Sequence, residues 1–198
     1  MFLYYIIYKP YQVLSQFSSS GEKKTLKDFF NVPPDVYSIG RLDYDSEGLL
    51  ILTNDKQLNH RLLNPLFQHE KEYWVQVEGN IEANAIRQLK EGLVISVDGN
   101  TYKTKKCEAA IFNTSPTVTE RTPAIRFRKN IPTSWIKLVL TEGKNRQVRK
   151  MTAAVGYPTL RLIRTRIERL YLQPLQPGEM KALPKEEIYS KLFNQEKD

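Results

Sequence analysis

Apolar and polar positions along the chain predict a series of short strands. Continuous or alternating apolar residues are typical of strands. They predict strands over residues 3–8, 49–53, 72–78, 135–141, 159–167 and 169–172. The turn sequence Asp98-Gly99-Asn100 predicts a hairpin between residues 93–97 and 101–105.

Helical spacing of apolar residues predicts four short helices. They cover residues 23–30, the segment from Thr53 or Asp55 to just before Pro65, residues 82–91 ending at Gly92, and residues 145–155. The composition of residues 113–123 predicts a loop, and that of residues 185–198 predicts a polar tail. Because helices and strands mix without a regular βαβ rhythm, the pattern predicts an α+β fold with a largely antiparallel sheet.

A short acidic loop stands directly before the most apolar strand. The run GRLDYDSEG (residues 40–48, here called the signature loop) leads into the strand LLILT (49–53). A strand without polar alternation is buried on both faces, so we expect the loop to be anchored against the core. An acidic loop held in this way can position a carboxylate for chemistry.

Two other interpretations of this loop are open from its residues. Asp43, Asp45, Glu47 and Gly48 occupy positions one, three, five and six of a calcium-loop pattern, but position twelve is Asn54 where a bidentate glutamate is needed. Alternatively, Asp43 and Asp45 accept hydrogen bonds from turn amides and have no further role.

The charge of the chain is concentrated in one segment. Residues 121–169 carry 13 Lys and Arg against two acids, Glu142 and Glu168, which gives +11. The rest of the chain carries 17 Lys and Arg against 20 acids, which gives −3, and the two parts sum to +8. A basic segment on a near-neutral body is typical of a protein that binds a polyanion, although a solvated basic face has the same composition.

The composition argues against several classes of protein. No apolar stretch approaches the roughly 20 residues of a membrane span, and the first strand lacks a basic leader and a small-residue cleavage site. One cysteine, Cys107, allows no internal disulfide and fits a reducing compartment. With His60 and His69 it makes no convincing zinc site. We therefore expect a cytoplasmic protein without a metal.

Four segments, in the right order over residues 8–167, resemble the pseudouridine synthases, specifically the RsuA-type branch that modifies ribosomal RNA. The signature loop resembles the catalytic motif of that family. The runs KP (9–10) and VLSQF (13–17) resemble its first motif, KEY (71–73) its lysine–tyrosine motif, and TEGKNRQVRKM (141–151), continuing to residue 164, its third. One departure is Gln12, where the family commonly has glycine.

The resemblance implies the pseudouridine-synthase fold, a mixed, mainly antiparallel sheet flanked by helices, with a catalytic cleft between two subdomains of residues 1–184. It implies an enzyme that isomerises a uridine in ribosomal RNA to pseudouridine. That reaction breaks the bond from the sugar to a ring nitrogen and joins the sugar to a ring carbon. No atom is gained or lost, so the resemblance implies no cofactor and no metal.

The likeness is nearest to members that act on large-subunit ribosomal RNA and lack a small N-terminal RNA-binding domain. We therefore expect the catalytic domain itself to recognise the RNA. The partner implied is ribosomal RNA, of the large subunit by preference, or a pre-ribosomal particle. A monomer is the expected oligomeric state.

The resemblance also implies roles for individual residues. Asp43 is the essential carboxylate, which attacks the sugar or the base or removes a sugar proton. Arg149 pairs with Asp43, and Tyr73 stacks on the target base. The first half of the chain would supply Asp43 and Tyr73, and the second half Arg149. Residues expected to contact RNA are Arg41, Lys71, Lys144, Arg146, Lys150, Leu162 and Arg164, with Arg126, Arg128, Lys129, Arg161 and Arg166 as further candidates.

A non-catalytic RNA-binding or ribosome-assembly protein on the same fold is the alternative. A carboxylate among basic residues repels RNA phosphates, so a protein that only binds RNA has no reason to hold one there. The presence of Asp43 together with Tyr73 and Arg149 therefore favours the enzyme.

Overall fold

The computed structural model describes residues 1–125 and 131–193. The chain divides into two compact units, the first made of Met1–His69 and Arg164–Asp198 and the second of Glu70–Ile163. The strands are β1 (Tyr4–Lys9), β2 (Tyr37–Ser38), β3 (Glu47–Thr53), β4 (Lys71–Glu78), β5 (Val94–Val97), β6 (Asn100–Lys103), β7 (Glu108–Ile111), β8 (Thr133–Leu140), β9 (Thr159–Ile167), β10 (Leu170–Tyr171) and β11 (Met180–Ala182). The helices are α1 (Lys56–Leu63), α2 (Ala83–Glu91), α3 (Gln147–Ala154) and α4 (Lys185–Phe193), with 3-10 turns at Leu26–Asp28 and Pro65–Phe67.

In the first unit, β1 pairs antiparallel with β3 on one side and with β11 on the other. The prediction that the strand after the signature loop is buried on both faces is confirmed, because Leu49, Leu50, Ile51 and Leu52 are all fully buried. Leu50 and Leu52 share a core with apolar side chains of β1 and of the segment between β1 and β2. This core holds the start of β3, and with it the end of the signature loop.

The segment predicted as a polar tail contains helix α4, which packs in the first unit. The Tyr189 hydroxyl of α4 donates to the Asp55 carboxylate at 2.7 Å, and the Tyr4 hydroxyl of β1 donates to the same oxygen at 2.8 Å. The other Asp55 oxygen accepts the amides of Gln57 and Leu58 at the start of α1. One buried carboxylate therefore joins a strand and two helices.

The second unit is built around an antiparallel strand pair, β4 and β8, with β7 on the far edge of β8. Val75 and Val77 of β4 are fully buried, as their alternation predicted, and they lie in a core with apolar side chains of α2, α3 and β8. The predicted hairpin is present as β5 and β6, and its turn has positive φ at Asp98 (50°) and Gly99 (82°).

Several predicted elements differ from the structure. The helix predicted over 23–30 is only the 3-10 turn Leu26–Asp28, and β2, β7 and β11, of two to four residues, were not predicted. The two compact units do not coincide with the halves of the chain, because Tyr73, in the first half, belongs to the second unit with Arg149. The α+β class with antiparallel pairing is confirmed. Within the described residues, no helix is long and apolar enough to cross a membrane.

Candidate active site

The signature loop in the first unit is fixed at its centre by a turn. The Ser46 amide donates to the Asp43 carbonyl at 3.0 Å. Leu42, Ser46 and Glu47 are buried, whereas Asp43 is half-buried. The loop therefore anchors its apolar and small side chains and leaves the Asp43 side chain partly accessible, as a reacting carboxylate requires.

Ser15 ties the first motif to this loop. The residue is 5% exposed, and its hydroxyl donates to the Leu42 carbonyl at 2.8 Å and accepts the Leu42 amide at 3.0 Å. Both backbone groups of the residue before Asp43 are thus satisfied by one side chain, which fixes the backbone there. Sequence reasoning missed this role, although Ser15 lay within a motif that it had singled out.

Lys9 is a buried cation beside the acidic loop, and sequence reasoning had not assigned it a role. Its ammonium group donates to the Val13 carbonyl at 2.6 Å and to the Pro10 carbonyl at 3.0 Å. Burial lowers the pKa of Lys9 to about 7, and this shift is opposed by the charges of Glu47, Asp43 and Asp45. The first unit therefore places the Lys9 amine near Asp43. The sequence signals were its place in the first motif and at the end of an apolar strand.

Arg164 also lies against the start of β3. Its Nε donates to the Leu49 carbonyl at 2.8 Å, and the residue is only 5% exposed. The backbone is close here as well, since a Cβ added to Gly48 would lie 2.3 Å from the Arg164 carbonyl oxygen. The guanidinium of Arg164 is thus engaged inside the protein, and its contact with RNA stays a prediction.

Arg161 in the second unit is engaged in the same way. It is 4% exposed, and its guanidinium donates to the Thr119 carbonyl at 2.9 Å. Arg166 is half-buried and donates to the Glu168 carbonyl at 2.7 Å. Arginines of β9 thus satisfy carbonyl groups of the protein. The candidates Arg126, Arg128 and Lys129 lie outside the described residues.

Tyr73 and Leu162 belong to the core of the second unit. Tyr73 is half-buried near the start of β4 and packs against the cluster that contains Leu162, Val148 and Met151. Leu162 is 5% exposed within that cluster, so its position is that of a core residue, and its contact with the base stays a prediction. Tyr73 combines one packed face with partial exposure, which suits a ring that stacks on a base.

Helix α3 carries the third motif. Arg149 is half-buried, and one of its terminal nitrogens lies 3.4 Å from the Thr159 carbonyl. Val148 and Met151, which flank it on the helix, are buried in the core. Lys144 and Arg146, in the loop before α3, are exposed.

The other predicted contact residues vary in exposure. Arg41, in the signature loop, is exposed, whereas Lys71, at the start of β4, and Lys150, on α3, are half-buried.

The calcium interpretation of the signature loop finds no support in the geometry. Among residues 1–125 and 131–193, no three His, Cys, Asp or Glu side chains are grouped so that they could hold a metal ion. Glu47 is buried as the first residue of β3, and its charge contributes to the environment of Lys9.

Comparison with known proteins agrees with this arrangement. The sequence model of the RNA pseudouridylate synthase family matches residues 3–154. A protein of Xanthomonas axonopodis pv. citri, named ribosomal large subunit pseudouridine synthase E, is 48% identical over 89% of this chain and 92% of its own length. A Vibrio parahaemolyticus protein of the same name is 46% identical over 90% of this chain and 72% of its own length.

A solved structure gives the same answer for the fold. A crystal structure of a pseudouridylate synthase matches 97% of this chain and 74% of its own with a TM-score of 0.79 and 28% identity. The chain belongs to the RNA pseudouridylate synthase family. The resemblance found in its motifs, and the α+β pseudouridine-synthase fold that it implied, are thereby confirmed.

Proposed function

We propose that this chain converts a uridine of large-subunit ribosomal RNA to pseudouridine. Family membership supports the reaction, and relatives named for the large subunit, 46–48% identical over most of their length, support the substrate. The observation that carries the proposal is the signature loop, in which Asp43 is partly accessible while Leu42 is anchored by Ser15 and residues 46–48 are buried at the start of β3.

Asp43 is the essential carboxylate in this proposal. Its loop is tied to Ser15 through Leu42 and closed by the bond from the Ser46 amide to the Asp43 carbonyl, and Lys9 in the same unit contributes positive charge when it is protonated. Tyr73 stacks on the target base and Arg149 supplies a second cation, both from the second unit. These two roles rest on the match of each residue to its family motif, and their pairing with Asp43 is a prediction.

The target uridine has to leave its stack before it reacts. Flipping a base costs on the order of a few kcal/mol. Stacking on Tyr73 and phosphate contacts from Arg41, Lys71, Lys144, Arg146 and Lys150 would offset that cost. Arg164 and Arg161 are better assigned to bracing β9, because their guanidinium groups bond to carbonyls of the protein.

The proposal includes the setting of the reaction. Ribosomal RNA, free or within a pre-ribosomal particle, is the partner, and the protein acts in the cytoplasm as a monomer. Gel filtration with light scattering tests the oligomeric state, and a mass of about twice 23.1 kDa would overturn it.

Carbodiimide-adduct mapping of unmodified large-subunit ribosomal RNA tests the reaction directly. Wild-type protein should create a reverse-transcription stop at a uridine, and Asp43→Asn should not. Asp45→Asn is the matched control, because it removes a carboxylate from the same loop at a position with no proposed chemical role. Activity of Asp43→Asn equal to wild type would overturn the assignment. Tight RNA binding by wild type without any stop, on free RNA and on pre-ribosomal particles, would favour a non-catalytic binding protein.

A further inference from the structure

Glu142, one of two acids in the basic segment 121–169, is almost fully buried in the second unit at 8% exposure. Its carboxylate accepts three hydrogen bonds, from the Tyr102 hydroxyl, the Lys105 amide at 2.9 Å and the Gln147 side chain at 2.5 Å. Tyr102 lies on β6 and Gln147 begins α3. The bond to Glu142 accordingly raises the pKa of Tyr102 to about 12. A buried acid thus joins the β5–β6 hairpin to the start of the helix that carries Arg149.

Two further contacts join the same hairpin to the loop before α3. The Asn145 amide donates to the Asp98 carboxylate, at the tip of the hairpin, at 2.9 Å. The Lys144 ammonium lies over the Tyr102 ring, 4.9 Å from its centre. The basic loop 143–146 and the hairpin are therefore side by side in the second unit and fixed to one another at three places.

The charges on this combined surface are strongly unequal. Residues 92–106 and 141–146 contain five cations and two acids. The acids are Glu142, buried and bonded to three donors, and Asp98, bonded to Asn145. The exposed cations that continue from β6 and from the basic loop are Lys105, Lys106, Lys144 and Arg146, here called the hairpin surface.

We propose that the hairpin surface is a single contact site for the RNA backbone, and that Lys105 and Lys106 extend the phosphate contacts of Lys144 and Arg146. This inference rests on the proposed function for the identity of the polyanion. Lys105 and Lys106 lie outside the basic segment 121–169, so the charge distribution along the chain did not point to them. RNA is the occupant that fits, because a row of exposed cations, with Glu142 buried and Asp98 hydrogen-bonded to Asn145, is complementary to a phosphate backbone.

The hydrogen bonds around Glu142 also have a consequence for affinity. A loop already ordered in the free protein loses less conformational entropy on binding than a loop that has to be ordered by the ligand. Glu142 and Tyr102 are positioning residues in this arrangement, since they act on RNA through Lys144 and Arg146. Loss of the Tyr102 hydroxyl should weaken binding without removing any positive charge.

The test compares the double variant Lys105→Gln/Lys106→Gln with wild type on unmodified large-subunit rRNA transcript over a range of KCl concentrations. Each lost phosphate contact lowers the slope of log Kobs against log salt by about 0.7–0.9, so the double variant should lose about 1.4–1.8. Lys27→Gln/Lys181→Gln, which removes the same charge from exposed positions in the first unit, should leave the slope near the wild-type value.

If the slope of log Kobs against log salt for the double variant equals that of the wild type, or falls only as much as that of the control variant, the proposal that the hairpin surface contacts RNA is wrong. Pseudouridine formation by wild type is measured on the same transcript. A wild-type protein that binds with a steep slope but forms no pseudouridine would count against the proposed function and not against this surface. Tyr102→Phe should bind about 2- to 10-fold more weakly at an unchanged slope. Wild-type affinity in that variant would show that the hydrogen bonds to Glu142 do not order the loop.

Discussion

Replacing Gly48 with alanine tests how closely the start of β3 approaches β9. Gly48 has φ of +111°, and a Cβ there would lie 2.3 Å from the carbonyl oxygen and 2.7 Å from the nitrogen of Arg164. Those are backbone atoms of a buried strand, so no side-chain rotation relieves the contact.

The cost follows from two contributions. A side chain at an unfavourable φ costs about 1–3 kcal/mol, and an overpacked buried contact costs about 1–3 kcal/mol more. Gly48→Ala should therefore lower the free energy of unfolding by about 2–6 kcal/mol, a large fraction of the about 5–15 kcal/mol typical of a folded protein.

Urea denaturation followed by tryptophan fluorescence and by circular dichroism measures this loss. Gly21→Ala is the matched control, because Gly21 also has positive φ (58°) but no atom within 4 Å of the added Cβ. The control should lose only the backbone cost of about 1–2 kcal/mol. Equal losses in the two variants would refute the inference that β3 and β9 leave no room at Gly48.

Three further predictions concern the signature loop and its surroundings. Gln12 has φ of 56°, so Gln12→Gly should raise the free energy of unfolding by up to about 1 kcal/mol. The control Gln88→Gly, on the exposed face of α2, should lower the free energy of unfolding by about 1 kcal/mol. A lower free energy of unfolding in both variants would contradict this prediction. Ser15→Ala leaves the amide and the carbonyl of Leu42 without their partner, which should lower the free energy of unfolding by about 1–3 kcal/mol for each group. The same variant should lower kcat more than it changes KM, and Ser15→Thr should partly restore kcat. Lys9 in the folded protein, with a pKa lowered to about 7, gives up a proton that the unfolded chain keeps up to about pH 10. The free energy of unfolding of the wild type should therefore rise from pH 7 to 9 by up to about 1.4 kcal/mol per pH unit, and Lys9→Met should flatten this pH dependence. A wild-type free energy of unfolding that does not change with pH would refute the lowered pKa of Lys9.

Local sequence patterns predicted much of the fold. The unbroken apolar run of β3, the alternation of Val75 and Val77 on β4, and the Asp98-Gly99 turn each specify their element through a few neighbouring residues. Four motifs in order were sufficient to identify the family. Short edge strands such as β11 were not predicted, because three residues that pair with a strand distant in the sequence show no hydrophobic periodicity of their own.

The placement of several side chains and of helix α4 depends on contacts between residues far apart in the sequence, which local patterns do not predict. Arg161 and Arg164 have the composition of an RNA-facing strand, but they bond to carbonyls 42 and 115 positions away in the chain. Helix α4 looked like a polar tail because its contact with Asp55 spans 134 positions. Lys9 was recognised only as part of a motif, since no local pattern distinguishes a buried lysine from an exposed one.

The first unit is assembled from both ends of the chain, and this has a consequence for the order of events during synthesis. The ribosome releases β1, the signature loop and β3 before the second unit, whereas β11 and α4 emerge after it. Tyr189 therefore reaches Asp55, and β11 reaches the second edge of β1, only after the second unit has been synthesised. The second unit is one continuous stretch and can fold while the nascent chain is still growing. The first unit, which carries Asp43, thus gains the contacts of β11 and α4 only after the second unit has emerged.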